Sequence, residues 1–474
     1  HLPTDSADAS GQRNFGLYAN QPQDLLIKES RNIAAAIAAL TLSVAAFAHS
    51  KENVAAGAST GSATGQDLYK EFQNPPKSAR PRVWWHWMNG NITKDGIKKD
   101  LLWMQKTGIV GFHNFDAGLE TPQIVDKRLI YMTPEWKDAF KYAINLADSL
   151  DMEMTIASSP GWSETGGPWV KDEDAMKKLV WRQVEIKGGQ PVSLKLPEGF
   201  DITGPFMDFT GSFDGVSQVF LRKKFYRDIA VVGVKLSDKD INLKELHPVI
   251  TSSGCDATGE EMLERITGDS VGDYLDVKTD KNGKCWIQYE FAEPQTIKAV
   301  VVSELRKDTN PYVHTKELQY SDDGVNFKSI NLSYQATAQR TYAIPATTAK
   351  YFRLSLKDNK GKKDCEFGIA QFALSTVTRI QLAGDKAGNS FYRLLWMEDT
   401  PYSSEAARLE DVVDLTPYVK DGTLTWNAPE GNWRIFRFGY SLTGKTNHPA
   451  SPEATGLEVD KLDPKAITEY FHNY

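Results

Sequence analysis

Short apolar runs alternate with helical patterns between residues 82 and 181 of this 474-residue chain. Thr93 is positioned as the N-cap of one helix, which ends near residue 108, and Thr133-Pro134 opens a second with an N-cap and a proline in the first position. A third, shorter helix is predicted over residues 172–181. Runs typical of buried strands lie at residues 83–88, 109–116 and 152–157. Strands that alternate with helices in this way predict parallel βα units.

The pattern changes after residue 183, where short alternating strands are separated by Gly, Asn, Asp and Pro up to residue 430. Strands are predicted at residues 298–303, 318–327 and 350–356, with Asp323-Gly324 as a hairpin turn. This trio resembles discoidin-type, galactose-binding-like sandwiches, which are jelly rolls.

A barrel-like strand is predicted again at residues 433–440, before a loop and a helix capped by Asp463-Pro464. We therefore predict an α/β fold: the first half of a (β/α)8 barrel interrupted by a large β-sandwich (galactose-binding-like) insert. The predicted parts are upstream residues, signal peptide and linker (1–66), barrel units 1–3 (67–183), the inserted β region (184–430) and barrel unit 4 (431–474).

A secretory signal peptide is predicted well inside the sequence. Basic residues at 28–31 precede an apolar stretch that ends in Ala46-Phe47-Ala48, which is an A-x-A cleavage site. The alternative is a buried alanine-rich helix. We expect a periplasmic or extracellular protein cleaved near Ala48, without an integral membrane span after cleavage. Because residue 1 is His and the last helix stops abruptly, we expect a sequence that starts upstream of the true start and is truncated at the C-terminus.

Composition narrows the function. A net charge of -7 provides no basic stripe for a phosphate backbone, so nucleic acid is excluded as a partner. The three cysteines, Cys255, Cys285 and Cys365, lack zinc-site spacing and allow one disulfide at most. The 12 Trp and 18 Tyr combine flat apolar faces with hydrogen-bonding edges, as sugar rings do.

The candidate chemistry lies in the loops after the strands, where barrel enzymes build their active sites. Hydrolysis of a glycosidic bond needs one carboxylic acid to protonate the leaving oxygen and a second carboxylate as base or nucleophile. The carboxyl candidates at strand ends are Asp116, Glu164, Glu453, Glu458 and Asp460.

Five ordered motifs give a specific resemblance. They are Phe72–Pro76 (FQNPP), the segment 79–91 (ARPRVWWHWMNGN), 132–136 (MTPEW), 161–169 (GWSETGGPW) and 456–461 (GLEVDK). From residue 72 onward the chain resembles glycoside hydrolase family 106. The resemblance implies an exo-acting, inverting α-L-rhamnosidase with a (β/α)8 catalytic domain and a calcium ion near the sugar. It also implies that Glu458 is the general acid and that the general base lies later than this chain extends, so we expect the chain alone to be inactive.

Each candidate has an alternative. Glu458 is either a general acid with a pKa raised by partial burial or the ion-pair partner of Lys461. Asp116 binds a sugar hydroxyl or calcium, or it caps the turn at Gly118. Glu164 contacts substrate or metal, or it holds its own loop by hydrogen bonds.

The remaining candidates are aromatic or polar. His86 is a substrate contact or a hydrogen-bonded core residue, and Trp87 and Trp162 stack on sugar or pack beneath the site. Asn89 and Asp460 complete the predicted substrate-binding set, and no metal ligands are assigned.

The leading hypothesis is hydrolysis of terminal α-L-rhamnose from poly- or oligosaccharides with inversion. One alternative is a non-catalytic protein that binds carbohydrate through the β-sandwich. The other is a retaining barrel glycosidase, whose carboxyl groups would lie about 5 Å apart rather than 6.5–9.5 Å.

Overall fold

A computed structural model describes residues 65–201, 224–268, 274–306, 314–332, 339–358, 366–387, 399–401 and 403–474. The chain divides into two compact units at Ala79/Arg80. Helix α1, Gly65–Gln73, is the main described element of the first unit. The predicted signal peptide at residues 28–48 lies outside the described residues, and in the part described no helix is long and apolar enough to cross a membrane.

The second unit begins with a parallel βα layer. Its elements are β1 (Arg82–Met88), α2 (Lys94–Lys106), β2 (Gly111–Ala117), α3 (Pro134–Ser149) and β3 (Glu153–Ile156). The strands form a parallel sheet in the order β1-β2-β3. The first three predicted strands and their two helices are therefore confirmed.

Both helices begin where the caps predict. The hydroxyl of Thr93 accepts a hydrogen bond from the Gly96 amide at 3.0 Å, and the hydroxyl of Thr133 accepts one from Trp136 at 3.4 Å. Each cap satisfies an amide that has no partner within its helix. The apolar core of the layer lies between sheet and helices, and includes buried Trp85 and Leu101.

The rest of the second unit is mostly antiparallel sheet. Its elements are β4 (Lys177–Lys187), β5 (Pro191–Lys195), β6 (Arg227–Lys235), β7 (Val249–Ser252), α4 (Gly259–Thr267), β8 (Leu275–Lys278), β9 (Lys284–Arg306), β10 (His314–Ser321), β11 (Lys328–Asn331), β12 (Arg340–Asp358), β13 (Glu366–Ser375), α5 (Ala383–Lys386), β14 (Val412–Asp414), β15 (Val419–Lys420), β16 (Thr423–Asn427), β17 (Asn432–Leu442) and α6 (Pro464–Asn473).

The largest sheet lies in the predicted insert and has seven strands. Its order is β11-β10-β12-β9-β13-β8, and β7 also pairs with β9. Strands β10 and β11 pair antiparallel across the predicted turn, in which Gly324 has a φ of +72°. The hairpin is therefore confirmed, whereas the galactose-binding-like type of the domain stays a prediction. Cys255 and Cys285 are not joined by a disulfide, and Cys365 lies outside the described residues.

Two smaller sheets correct the prediction. One has the order β14-β6-β17-β4 and the other β15-β16-β5. The helix predicted over residues 172–181 is wrong, because a 3-10 turn at Asp172–Asp174 is followed directly by β4. Alternate residues of β4, Val184 and Ile186, pack against the core between these sheets, which is a strand pattern.

The fourth barrel unit is also wrong. Strand β17 is antiparallel to both β4 and β6, so the described parallel sheet has three strands and half a barrel is not shown. Trp433 and Ile435 are buried while Arg434 between them is not, which is the alternation of a half-buried antiparallel strand. The domain limits at 183/184 and 430/431 stay predictions. The sheet β14-β6-β17-β4 nevertheless contains residues from all three segments that these limits separate.

Candidate active site at the carboxyl edge of the parallel sheet

The loop after β17 reaches the carboxyl ends of β2 and β3. The amide of Gly118 donates to the carbonyl of Pro449 at 3.3 Å, and the amide of Trp162 donates to the carbonyl of His448 at 2.8 Å. We call residues 445–460 the edge loop. The strand before it, β17, was predicted to belong to the parallel sheet but does not. The edge loop nevertheless lies at the carboxyl ends of the parallel strands, where catalytic groups were predicted.

Close backbone approach requires glycine at two contacts with the edge loop. A Cβ on Gly161, whose φ is +86°, would lie 2.6 Å from the carbonyl carbon of His448. A Cβ on Gly118 would lie 2.7 Å from the carbonyl oxygen of Ala450. A Cβ does not come this close to a non-bonded atom in real proteins, so any side chain would push the edge loop away.

Asn447 holds the edge loop from within. Its buried side-chain amide donates to the carbonyls of Pro160 and Ala454, each at 3.0 Å, and its oxygen accepts from the Gly456 amide at 2.8 Å. Sequence analysis missed this residue, because no local pattern marks an asparagine whose partners are distant in sequence.

Asp116 is the last polar residue of β2 and is only 6% exposed. The indole nitrogen of Trp136, on α3, donates to its carboxylate at 2.9 Å. Burial is the main reason that the pKa of Asp116 is raised to about 7. The hydrogen bond from Trp136 and the charge of Arg128 lower this pKa, whereas the charge of Glu453 raises it. The carboxylate contacts Trp136 rather than capping the turn at Gly118.

Arg128 lies in the segment between β2 and α3 and links this segment to the edge loop. Its guanidinium donates to the backbone oxygen of Asn89 at 2.7 Å, to the Asn89 side-chain oxygen at 2.8 Å and to Glu453 at 3.1 Å. The hydrogen bond from Arg128 holds the pKa of Glu453 below its usual value. The side-chain amide of Asn89 donates in turn to the carbonyl of Thr121 at 2.5 Å, so this predicted substrate contact is engaged within the protein.

Glu458 lies on a short extended stretch of the edge loop. Its amide donates to the carbonyl of Lys445 at 2.9 Å, and its carbonyl accepts from Met176 at 2.9 Å. The carboxylate is 13% exposed and accepts a hydrogen bond from Lys461 at 2.6 Å. The ion pair with Lys461 is therefore present; a catalytic role for Glu458 stays a prediction.

Asp460 lies two residues further along. Its carboxylate accepts from the Leu462 amide at 3.0 Å and lies 3.6 Å from the amino group of Lys177. Glu164 is exposed, and the Ser158 hydroxyl donates to its backbone carbonyl. Neither placement tests a role in substrate binding.

The aromatic candidates separate. Trp87 is 3% exposed and packs edge to face against Trp136 and Phe140, as the packing alternative describes, and its contact with a sugar stays a prediction. Trp162 is 46% exposed, and its indole nitrogen donates to Nε2 of His86 at 2.9 Å.

The described residues do not provide an evident metal site. Nowhere among them do three or more His, Cys, Asp or Glu side chains lie close enough to hold a metal ion. The calcium ion that the resemblance implies has no such set of ligands in this part of the chain, so no catalytic step is derived through it.

Two neighbouring carboxyl groups at this edge have opposite tendencies: Asp116 retains its proton to near neutral pH, whereas Glu453 loses it more readily than usual. Carboxyl pairs whose environments separate their pKa values, at the carboxyl ends of parallel strands, are typical of glycoside hydrolases.

Comparison with known proteins agrees with this class. Residues 73–474 match the alpha-L-rhamnosidase family, and the chain belongs to that family, glycoside hydrolase family 106. A solved rhamnosidase from Novosphingobium sp. PP1Y is 38% identical, with a TM-score of 0.70 over 86% of this chain and 37% of that one. A protein of Formosa agariphila, provisionally named beta-glucuronidase, is 25% identical over 421 residues, or 86% of this chain and 22% of that protein. The chain thus spans well under half the length of either relative.

Proposed function

We propose that the complete product of this gene hydrolyses terminal α-L-rhamnosyl residues of poly- or oligosaccharides. Family membership over residues 73–474 supports the reaction class, and the 38% identity to a rhamnosidase supports the sugar. The observation that carries the proposal is the position of the edge loop. It carries Glu453 and Glu458 and is joined by backbone hydrogen bonds to the segments that follow β2 and β3, and the charge of Glu453 raises the pKa of Asp116 at the end of β2.

Glu458 is proposed as the general acid that protonates the departing glycosidic oxygen, and the reaction is proposed to invert the anomeric configuration. Lys461, 2.6 Å from its carboxylate, keeps Glu458 oriented before substrate binds. Proton donation to the glycosidic oxygen requires the contact between Lys461 and the Glu458 carboxyl to be released when substrate binds.

The test compares Glu458→Gln with wild type on two aryl α-L-rhamnosides, one with a poor and one with a good leaving group. A general acid matters only where the leaving oxygen needs a proton, so kcat on the poor leaving group falls by about 10²–10⁴-fold while the good one is much less affected. Equal losses on both substrates would contradict the role of Glu458.

Two further arms examine specificity and stereochemistry. Aryl β-glucuronide serves as the competing substrate, since one relative carries that name. Turnover of the glucuronide without turnover of the rhamnoside would overturn the proposed sugar. Proton NMR of the first-formed rhamnose distinguishes inversion from retention.

Secretion is proposed from the signal-peptide pattern in the sequence, and calcium from the family resemblance alone. N-terminal sequencing of the protein recovered outside the cytoplasm should begin just after Ala48. Calorimetric titration of chelator-treated protein with Ca²⁺ should show binding; a flat titration would remove calcium from the proposal.

A further inference from the structure

The Trp162 side chain combines exposure with a fixed orientation. Its indole nitrogen donates to His86 Nε2 at 2.9 Å, and its backbone amide donates to the carbonyl of His448 at 2.8 Å. A surface tryptophan without such contacts would sample several rotamers. Here both the ring and the loop that carries it are held.

His86 is itself fixed by the neighbouring strand. Its ring stacks on Phe115, which is its register partner on β2, with centroids 5.1 Å apart and planes 18° apart. Burial and the nearby His113 lower the pKa of His86, which favours the neutral ring. Because Nε2 accepts the indole hydrogen, the ring proton resides on Nδ1.

The contact with His86 does not occupy the flat face of the indole, and the side chain is 46% exposed. The His86 and Trp162 rings meet at 81°, so the contact uses the nitrogen edge of Trp162 and not its flat face. A flat aromatic face at the carboxyl edge suits the apolar face of a pyranose ring. Since the ring is already oriented, a ligand that stacks on it does not have to immobilise it.

We propose that Trp162 is a preorganised stacking platform for a pyranose ring. His86 is a positioning residue that acts through Trp162 and does not itself bind the sugar. The identity of the sugar rests on the proposed function, while the division of roles between the two side chains rests on their contacts.

The first experiment measures L-rhamnose binding to the complete protein by intrinsic fluorescence. Rhamnose should change the emission of wild type, and Trp162→Phe should abolish most of that change. Trp103→Phe is the matched control, because Trp103 is also exposed but lies in the last turn of α2, which leads into the amino end of β2. An unchanged signal in Trp162→Phe would overturn the proposal.

The second experiment separates binding from chemistry. Trp162→Ala should raise the Kd for rhamnose and the KM for an aryl rhamnoside about three- to tenfold with kcat unchanged, as expected for loss of one aromatic contact. If wild type hydrolyses the rhamnoside and Trp162→Ala keeps its KM and Kd, the platform is wrong and the proposed function stands. If wild type does not hydrolyse it but Trp162→Ala loses rhamnose affinity, the platform stands and the proposed function fails.

The third experiment tests His86. His86→Phe retains a ring to stack on Phe115 but has no acceptor, whereas His86→Gln retains an acceptor. The Phe variant should raise KM nearly as much as Trp162→Ala, and the Gln variant should restore most of the loss. In the Trp162→Ala background, His86→Phe should have no further effect, because its action passes through the missing indole.

A full additional effect of His86→Phe in that background would show that His86 acts independently and would overturn its positioning role. Circular dichroism and thermal unfolding of each variant establish that it is folded. His86→Gln also keeps the test decisive if the Phe variant is unstable.

Discussion

The buried carboxyl of Asp116 should make the stability of the βα layer depend on pH. Asp116→Asn is the perturbation, because asparagine has nearly the same shape and its side-chain oxygen can still accept from Trp136. The variant therefore keeps the 2.9 Å hydrogen bond from the indole and removes the titration. Any pH dependence that disappears with it belongs to the carboxyl group.

The direction follows from the raised pKa. Between pH 3.8 and about 7 the native protein holds a proton on Asp116 that the unfolded chain has lost, so stability falls as the pH rises through this window. Raising the pKa of Asp116 from 3.8 to about 7 corresponds to about 4 kcal/mol. Relative to Asp116→Asn, wild type should therefore lose about 4 kcal/mol between pH 4 and pH 8, with the loss complete above pH 7.

The measurement is hydrogen exchange of peptides from β2 and α3, corrected for the intrinsic effect of pH on exchange. It reports the opening of this layer separately from that of the antiparallel sheets. Asp148→Asn, an exposed position on α3, is the control and should retain the wild-type pH dependence. If wild type and Asp116→Asn lose protection in parallel as pH rises, the reasoning from burial is refuted.

Three other predictions concern the same edge. Asn447→Ala leaves three backbone groups without their partner, and should cost about 3 kcal/mol, measured as faster proteolysis of the edge loop; unaltered cleavage would argue against its clamping role. Arg128→Gln should raise the pKa of Glu453 toward its ordinary value, which NMR titration of that carboxyl measures directly; an unchanged titration would contradict the role of Arg128. Rhamnose affinity should weaken as the pH falls through the pKa of His86, which burial and His113 lower, because protonated Nε2 cannot accept from Trp162; His86→Gln should bind independently of this titration.

The parallel layer could be predicted because its signals are local. The cap at Thr133 and the proline after it determine the start of α3 whatever the rest of the chain does. The pairing of strand β17 could not be predicted in this way. The apolar run at residues 433–440 indicates a buried strand but does not indicate which strand lies beside it. Its partners, β4 and β6, are nearly 200 residues or more away in the sequence. Which strands pair with β17 is determined by packing on the core that contains Trp433.

The residues of the candidate site also fall into those that the sequence could identify and those that it could not. Asp116 and His86 could be found because each lies near the end of a strand. Arg128 and Asn447 could not, because the Arg128–Glu453 contact joins residues 325 positions apart and the Asn447–Pro160 contact joins residues 287 apart. An arginine in a polar loop has no sequence feature that names its partner.

Alternation along the strands also separates the predicted contacts into two groups. Trp87 is the register partner of Asp116, and both contact Trp136 on the helix side of the sheet. His86 faces the opposite side, where it meets Phe115 and the exposed Trp162. Side chains that alternate along a strand lie on opposite faces, so a sugar stacked on Trp162 would be separated from the Asp116 carboxylate by the sheet edge.

Because of this separation, Asp116 is expected to maintain the structure of the site, whereas its position at the end of a strand had suggested that it reacts there. Its near-neutral pKa matches a catalytic acid, but its hydrogen bond is to a core indole, and Glu453 acts on it only through charge. Asp116→Asn should then alter the pH dependence of stability while leaving the KM for the rhamnoside unchanged. Glu458, on the edge loop, is the carboxyl whose replacement should affect the leaving-group dependence, so the two variants together distinguish a carboxyl that maintains the site from one that reacts in it.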